Sequence, residues 1–390
     1  MITFDEAFDI VINSAKGQTT ERVTLENAVG RILAEDATAD MDMPPFNKSA
    51  VDGYACKRSD IGEAMEVVEV IAAGRRPVNA ISEGQCSQIM TGAMIPEGAD
   101  TVIMVEDTEK ADGNKIRFTG RKTSANICYT AEDIHAGQLV LKKGTLLRPQ
   151  ELAILATFGF AKPVVYKKPV VGVISTGDEL VESDVNPAIS QIRNSNSTQT
   201  IAQIITAGAE FRYFGIARDT EADTREKIGA ALSNTDIVIL TGGVSMGEFD
   251  YVPKVLQDLG ITIRFKSIAV QPGRPTVFGV KEHKYIFGLP GNPVSSFVQF
   301  ELLVKPLIHK LMGHDYQPSM ITLPMGETYT RKKTTRKTLM PVYFKDGLVF
   351  PVEYHGSAHI HAFVAAQGIL AIEIGKTTLL KGELVDVRQI

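Results

Sequence analysis

The chain has 390 residues, 44% hydrophobic and 22% charged, with a net charge of −5. That length exceeds what one compact core supports, so two to four domains are expected; no apolar run approaches the roughly 20 residues of a membrane helix, and the acidic balance lacks the basic footprint of a general nucleic-acid binder. Cys56, Cys86 and Cys128 are odd in number, scattered and without CxxC spacing, which argues against a disulfide framework or a structural zinc site and for a reducing cytoplasm.

The opening "MITFDEAFDIVINSAKG" carries a Thr3/Glu6 capping box ahead of an amphipathic run. That predicts a helix, not the basic and apolar regions of a signal peptide. Up to about residue 40, "FDEAFDIVINSA" and "TLENAVGRILAEDA" space apolar residues by three and four, the helical period. From "MPPFNKSAVDGYA" to Asp133 that period disappears, and short runs such as "MEVVEVIA" and "DTVIMVE" alternate with Gly/Pro turns. A β-rich domain is expected over 41–133. "RPQELAILATFGFAKP" is helical again, so residues 1–40 and 134–166 read as one split helical domain into which the β domain is inserted. Over 167–313, "KPVVGVIS", "DIVILTGG" and "KYIFGLPG" are the continuous apolar runs of strands buried on both faces, alternating with helical stretches. This predicts a doubly wound α/β domain with a mostly parallel sheet. Residues 314–390 return to short strands, with the basic stretch "TRKKTTRK" near their start.

The α/β strands each give way to a polar turn: "TGDEL", "TGGVSMGE" and "LPGNPVSS", with a fourth turn "IRNSNST" before a helix. In open parallel sheets the carboxyl ends of the strands border one crevice, so these turns are expected on one rim. Gly242 and Gly243 would let amides approach a phosphate. Pro290, Gly291 and Asn292 lead into a helix start whose amides are free. Asn194, Ser195 and Ser245 add polar donors, and Arg193 and Arg274 suit planar oxyanions. Singly, each turn reads as ordinary turn chemistry; together they point to a phosphate-bearing ligand. Asp178, Glu179, Asp219, Glu248 and Asp250 lie at or near strand ends. Such acids would repel a phosphate unless a hard cation such as Mg²⁺ stood between them. "HGSAHIHAF" holds three of the seven histidines, but without a nearby Cys it reads as loop or strand packing sooner than as a metal site.

These motifs, with "PPFNKSAVDGYA", "IMTGAMIPEGADTVIMVED", "AEDI", "PGRP" and "FGLPGNPVSSF", resemble the molybdopterin molybdenumtransferases, the MoeA group that includes the gephyrin E domain. The resemblance runs over essentially the whole chain. It implies an elongated homodimer of four-domain subunits with a C-terminal β barrel. The active site would lie between the α/β domain of one subunit and the inserted domain of the other. The implied reaction is Mg²⁺-dependent insertion of molybdate into adenylylated molybdopterin with release of AMP. Adenylylated molybdopterin would come from a molybdopterin adenylyltransferase upstream, and molybdoenzymes would accept the product. Carried over by motif, the catalytic positions are Asp52, Thr91, Asp133, Glu179, Asp219, Asp250 and Ser357, with Glu179, Asp219 and Asp250 as metal ligands and Arg336 as a further basic residue. Two departures stand out. The family loop Lys-Pro-Gly-Lys-Pro is here Gln271-Pro272-Gly273-Arg274-Pro275, and "AEDI" has Ala131 where a glycine is usual. The rival readings are a molybdopterin adenylyltransferase, a non-catalytic molybdopterin-binding scaffold and a tungstate-preferring homologue.

Overall fold

The capping box is complete. Thr3 Oγ1 accepts from the Glu6 amide at 3.2 Å, and Glu6 Oε2 accepts from the Thr3 amide at 2.8 Å. Two orphan donors are thereby satisfied, and the helix Phe4–Asn13 follows, burying Ala7 and Val11. The computed structural model describes residues 1–390 apart from 17–18, 244–251, 354–355 and 357–358. The second expected helix, over "TLENAVGRILAEDA", does not form. Only a 3₁₀ turn, Leu25–Ala28, is present; Gly30 then takes φ +71°, and Ile32 and Leu33 bridge to Leu146 and Val165. The periodic apolar residues there are buried by extended pairing instead of by a helix face.

The described residues form two units: Met1–Ala34, Gly144–Arg148 and Pro163–Ile390 in one, Glu35–Lys143 and Pro149–Lys162 in the other. The first contains a six-stranded sheet in the order Glu210–Ala217, Val170–Thr176, Ile237–Thr241, Lys284–Leu289, Val277–Lys281, Thr262–Phe265. The first four strands are parallel and the last two join antiparallel. Alternation along the strands feeds two cores. Ile237 and Ile239 pack with Ile204 and Val298 from the helices Ser195–Thr206 and Pro293–Gln299, whereas Val238 and Leu240 pack with Ile228 and Val255 from Glu221–Asn234 and Val252–Asp258. Apolar residues at both parities therefore mean a sheet covered on both sides, as the continuous apolar runs predict.

The C-terminal region is strand-rich. Met320–Pro324, Leu384–Gln389, Gly368–Ile372 and Lys337–Lys345 lie side by side, and Leu348–Pro351 pairs with Lys337–Lys345. The short strand Val270–Gln271, which comes from the α/β region of the sequence, joins this second sheet parallel to Lys337–Lys345.

The other unit holds a third six-stranded sheet, built on Thr101–Met104, Gly53–Cys56, Gln85–Ile89, Ala64–Ile71, Lys115–Phe118 and Thr108–Lys110. Gly53 is required there, since a Cβ would lie 1.9 Å from the Ile103 carbonyl oxygen of the neighbouring strand. Cys56 and Cys86, far apart in sequence, face each other across two strands as free thiols. Burial pushes both up to about 12, so neither is a nucleophile at neutral pH.

Candidate functional site

The four polar turns meet at the carboxyl end of the parallel strands. Thr176 and Gly177, Arg193 to Asn196, Thr241 to Gly243 and Pro290 to Pro293 line one cavity of about 690 Å³, which Glu179 and Asp219 also reach. It opens above Val170–Thr176, whose neighbours Glu210–Ala217 and Ile237–Thr241 lie on opposite sides. That is the topological switch point at which open α/β sheets bind ligands.

Bare backbone is forced at this cavity. Gly242 and Gly243 have φ of +92° and +62°. A Cβ on Gly242 would lie 2.8 Å from Thr176 O and Oγ1, and one on Gly243 2.8 Å from Thr176 Oγ1. Behind the turns is a buried hydroxyl layer. Ser175 Oγ donates to Asn194 Oδ1 at 2.9 Å and lies 3.2 Å from Thr241 Oγ1. Asn194 is almost wholly buried; it caps Ser195–Thr206 by accepting from the Ser197 amide and donates to the Tyr213 hydroxyl at 2.9 Å. Tyr213 in turn donates to Glu182 at 2.8 Å. Burial and that carboxylate push the phenol up to about 12, so it stays a donor. Asn194 thus fixes the helix start, while its neighbour Asn196 faces the cavity. Asn196 Nδ2 donates to Gly291 O at 2.7 Å, and its buried Oδ1 has no partner among the described residues. An unmatched buried acceptor beside a cavity is available to a ligand N–H.

Two turns carrying acids are tied to each other. The Asp178 amide donates to Asp219 Oδ2 at 3.2 Å and the Asp219 amide to Asp178 Oδ1 at 3.3 Å. Glu179 and Asp219 are the described sequence-predicted acids on the cavity wall. The third, Asp250, lies outside the described residues, as do Ser245, Glu248, Ser357 and His355. Among the described residues no group of three His, Cys, Asp or Glu side chains is placed to hold a metal ion.

The basic residues divide. Arg193 stands on the cavity wall, where its Nε donates to Val185 O at 3.2 Å and Nη2 to Asn186 Oδ1 at 3.1 Å, so it also holds the preceding loop. Arg274 is exposed and its side chain has no bond among the described residues; Pro275, next to it, lines the cavity. Gln271 and Arg336, 65 positions apart, are brought together: Arg336 Nη2 donates to Gln271 Oε1 at 3.4 Å, and Gln271 is paired in register with Thr338.

Asp52, Thr91 and Asp133 belong to the other unit. Asp52 Oδ1 accepts from the Thr91 amide at 2.6 Å and from the Thr91 hydroxyl at 2.9 Å. These bonds, the backbone one first, hold the exposed Asp52 carboxyl below its ordinary range. Asp133 is exposed, and its amide donates to Met43 O at 3.1 Å. Sequence reasoning missed Thr176 and Thr241, the hydroxyl residues that end the apolar strands, together with Asn196 and Ile360. A hydroxyl at the last position of a buried strand is the signal that marks the first two.

Comparison with known proteins covers the full length. Three family models match in order: the MoeA N-terminal region (domain I and II) over residues 2–159, a probable molybdopterin binding domain over 172–310, and the MoeA C-terminal region (domain IV) over 325–390. A molybdopterin molybdenumtransferase of Bacillus subtilis (strain 168) is 41% identical over 401 residues, covering 99% of this chain and 93% of that protein. One from Staphylococcus epidermidis is 36% identical over 379 residues, covering 94% and 90%. Among solved structures, a molybdopterin biosynthesis moeA protein from Pyrococcus horikoshii OT3 superposes with a TM-score of 0.86 at 30% identity, covering 100% of both chains.

Proposed function

The chain belongs to the MoeA family, and on that premise we propose that it is a molybdopterin molybdenumtransferase of molybdenum-cofactor biosynthesis, inserting molybdate into adenylylated molybdopterin with release of AMP. The observation that carries this reading is the meeting of four polar turns around one cavity, where Gly242 and Gly243 leave no room for a side chain. Their amides and those at the start of Ser195–Thr206 bind phosphate oxygens. The free Asn196 Oδ1 accepts from an N–H of the pterin. Arg274 and the Gln271/Arg336 pair, with Ser357, receive the oxyanion; Gln271 presents it with an amide where the related loop has a second cation.

Glu179 and Asp219, joined by Asp250, are the residues that would hold Mg²⁺; two hard carboxylates beside a cradle of amides suit such an ion. Once bound, it supplies charge neutralisation at the pyrophosphate. The protein's own part is to orient the linkage, exclude water and keep the oxyanion beside the reacting end of the ligand. We assign four domains: 1–40 with 134–166, 41–133, 167–313 and 314–390. In a homodimer, Asp52, Thr91 and Asp133 complete the site from the inserted domain. The substrate then comes from an adenylyltransferase in the cytoplasm, and molybdoenzymes take the product.

The test is AMP release from adenylylated molybdopterin with Mg²⁺, with and without micromolar molybdate. Release that depends on molybdate, and falls at least about a hundredfold in Asp219→Asn, is the expected result; losses of this size accompany removal of one electrostatic contact to developing charge. Gln271→Lys should bind molybdate more tightly. Formation of adenylylated product from ATP and molybdopterin, without molybdate-dependent release, would overturn the reading in favour of an adenylyltransferase.

A further inference from the structure

In the loop Gln271-Pro272-Gly273-Arg274-Pro275, Gln271 and Arg274 are exposed while Pro272 and Gly273 are buried. The Gln271 side chain is placed by its bond from Arg336. The Arg274 side chain makes no bond among the described residues, so only the backbone of the loop aims it. That backbone is tied at three successive carbonyls. Arg274 O accepts from the amides of Ile268 at 3.0 Å and Thr276 at 2.9 Å, Gly273 O from Thr276 Oγ1 at 2.7 Å, and Pro272 O from Gln299 Nε2 at 3.3 Å. The amides of Gly273 and Arg274 donate to nothing among the described residues. A turn whose carbonyls are held by the protein while its amides are free suits a negative ligand.

Gln299 is the tie that packing alone does not explain. It is 0% exposed and ends the helix Pro293–Gln299, whose first residue stands on the cradle wall. Directly after it the helix widens into the π turn Phe300–Val304, a feature frequent at functional sites. Pro272 has no N–H, so it offers Gln299 only an acceptor, and the amide turns its NH₂ group towards it. The cost falls on the other atom: Oε1 is buried without a partner among the described residues. A methionine or leucine would fill nearly the same volume without that cost, which marks the donor as the reason for an amide here. Gly273 is fitted to the same group. It has φ +104°, and a Cβ on it would lie 2.3 Å from Gln299 Nε2.

We propose that Gln299 is a positioning residue for the oxyanion: by holding Pro272 O beneath the turn, it fixes the direction in which Arg274 meets molybdate. The inference rests on the proposed function, in which Arg274 receives that anion. Gln299 is fully buried and acts through Arg274, so its effect belongs to the molybdate side of the reaction. One helix then serves both partners, with its first residue at the cradle and its last beneath the oxyanion loop.

Calorimetry on the full chain with molybdate alone, together with KM values from AMP release, tests this. Gln299→Met keeps the volume and loses the donor. It should weaken molybdate binding and raise the KM for molybdate about three- to tenfold, the span that loss of one neutral hydrogen bond implies. The KM for adenylylated molybdopterin, and kcat at saturating molybdate, should stay native, which also shows that the cradle is folded. Gln299→Leu, a second apolar filling, should do the same. A merely structural glutamine would lower stability and leave the KM for molybdate where it was. In an Arg274→Ala chain, Gln299→Met should change molybdate affinity less than about twofold, because positioning acts through that side chain. Native molybdate affinity in both Gln299 variants, or a loss of equal size in the Arg274→Ala background, overturns the assignment. The outcomes separate from those of the parent reading. Molybdate-dependent AMP release by the native chain, with the KM for molybdate unchanged in Gln299→Met, refutes the positioning role alone. Molybdate binding that Gln299→Met weakens, in a chain that releases no AMP, refutes the reading beneath it and upholds the positioning role. A native chain that neither binds molybdate nor releases AMP overturns both.

Discussion

Ala131 stands at φ +62°, in the left-handed region, where the related motif carries glycine. The turn is held by its neighbours: the Ala131 amide donates to Pro44 O at 3.0 Å and the Asp133 amide to Met43 O at 3.1 Å. A Cβ in this conformation costs about 1–2 kcal/mol, and glycine's extra freedom in the unfolded chain takes back about 0.5–1 kcal/mol. Ala131→Gly should therefore stabilise the protein by about 0.5–1 kcal/mol, read as a higher urea midpoint; a lower midpoint would mean that the turn is not strained. The substitution was legible in the sequence as a departure, and its φ was not, because only the bonds to Met43 and Pro44 compel it. The same holds for Asp52 and Thr91, and for Gln271 and Arg336. Their residue types announced polar chemistry, while the contacts between them depend on strand register that no local pattern encodes.

At the level of elements, the rim of the cradle was the most legible part of the site, because buried strands that stop at Gly, Asn or Pro announce where they stop. The helix expected over "TLENAVGRILAEDA" failed for the complementary reason. Gly30 interrupts the run, and Ile32 and Leu33 find extended partners in Leu146 and Val165, more than 100 positions away. Periodicity reported that these residues are buried, and tertiary pairing decided how. The glycine turn after Ile237–Thr241 gives the sharpest test at this scale. Gly242→Ala adds a Cβ 2.8 Å from Thr176 O to a backbone at φ +92°. It should cost about 1–3 kcal/mol of stability and weaken AMP binding at least about tenfold, by calorimetry. Native affinity in that variant would remove the Gly242 amide from the phosphate cradle.

Across the whole molecule, the α/β sheet and the C-terminal strands are joined at a small polar node. Arg388, on the strand Leu384–Gln389, donates to the Glu301 carbonyl and lies 5.7 Å from the Tyr316 ring, on which His309 stacks at 4.5 Å. Burial, then the nearby His314 and Lys305, lowers His309 to about 4. An unfolded chain takes up this proton near pH 6.5, so between there and pH 4 the unfolded state binds more protons and acid favours it. The stabilisation present above pH 6.5 should fall progressively as pH approaches 4, by on the order of 3 kcal/mol in full. His309→Phe, which keeps the stack on Tyr316, should flatten that slope when urea midpoints are compared at pH 7 and pH 5; an unchanged slope would assign it to other groups. The partners of His309 are near it in the chain, at Lys305, His314 and Tyr316, but its burial depends on tertiary packing that no local pattern shows. The arrangement of the two units also sets an order of events during synthesis. Phe4–Asn13 buries Ala7 and Val11 against Leu303, Leu307 and other residues some 300 positions later. At about 5–20 residues per second on the ribosome, the first helix waits roughly 15–60 s for its partners. Glu35–Lys143 is complete long before then. The inserted sheet is therefore the part able to take shape first, leaving an unmatched amphipathic helix ahead of it that chaperones would meet on every newly made chain.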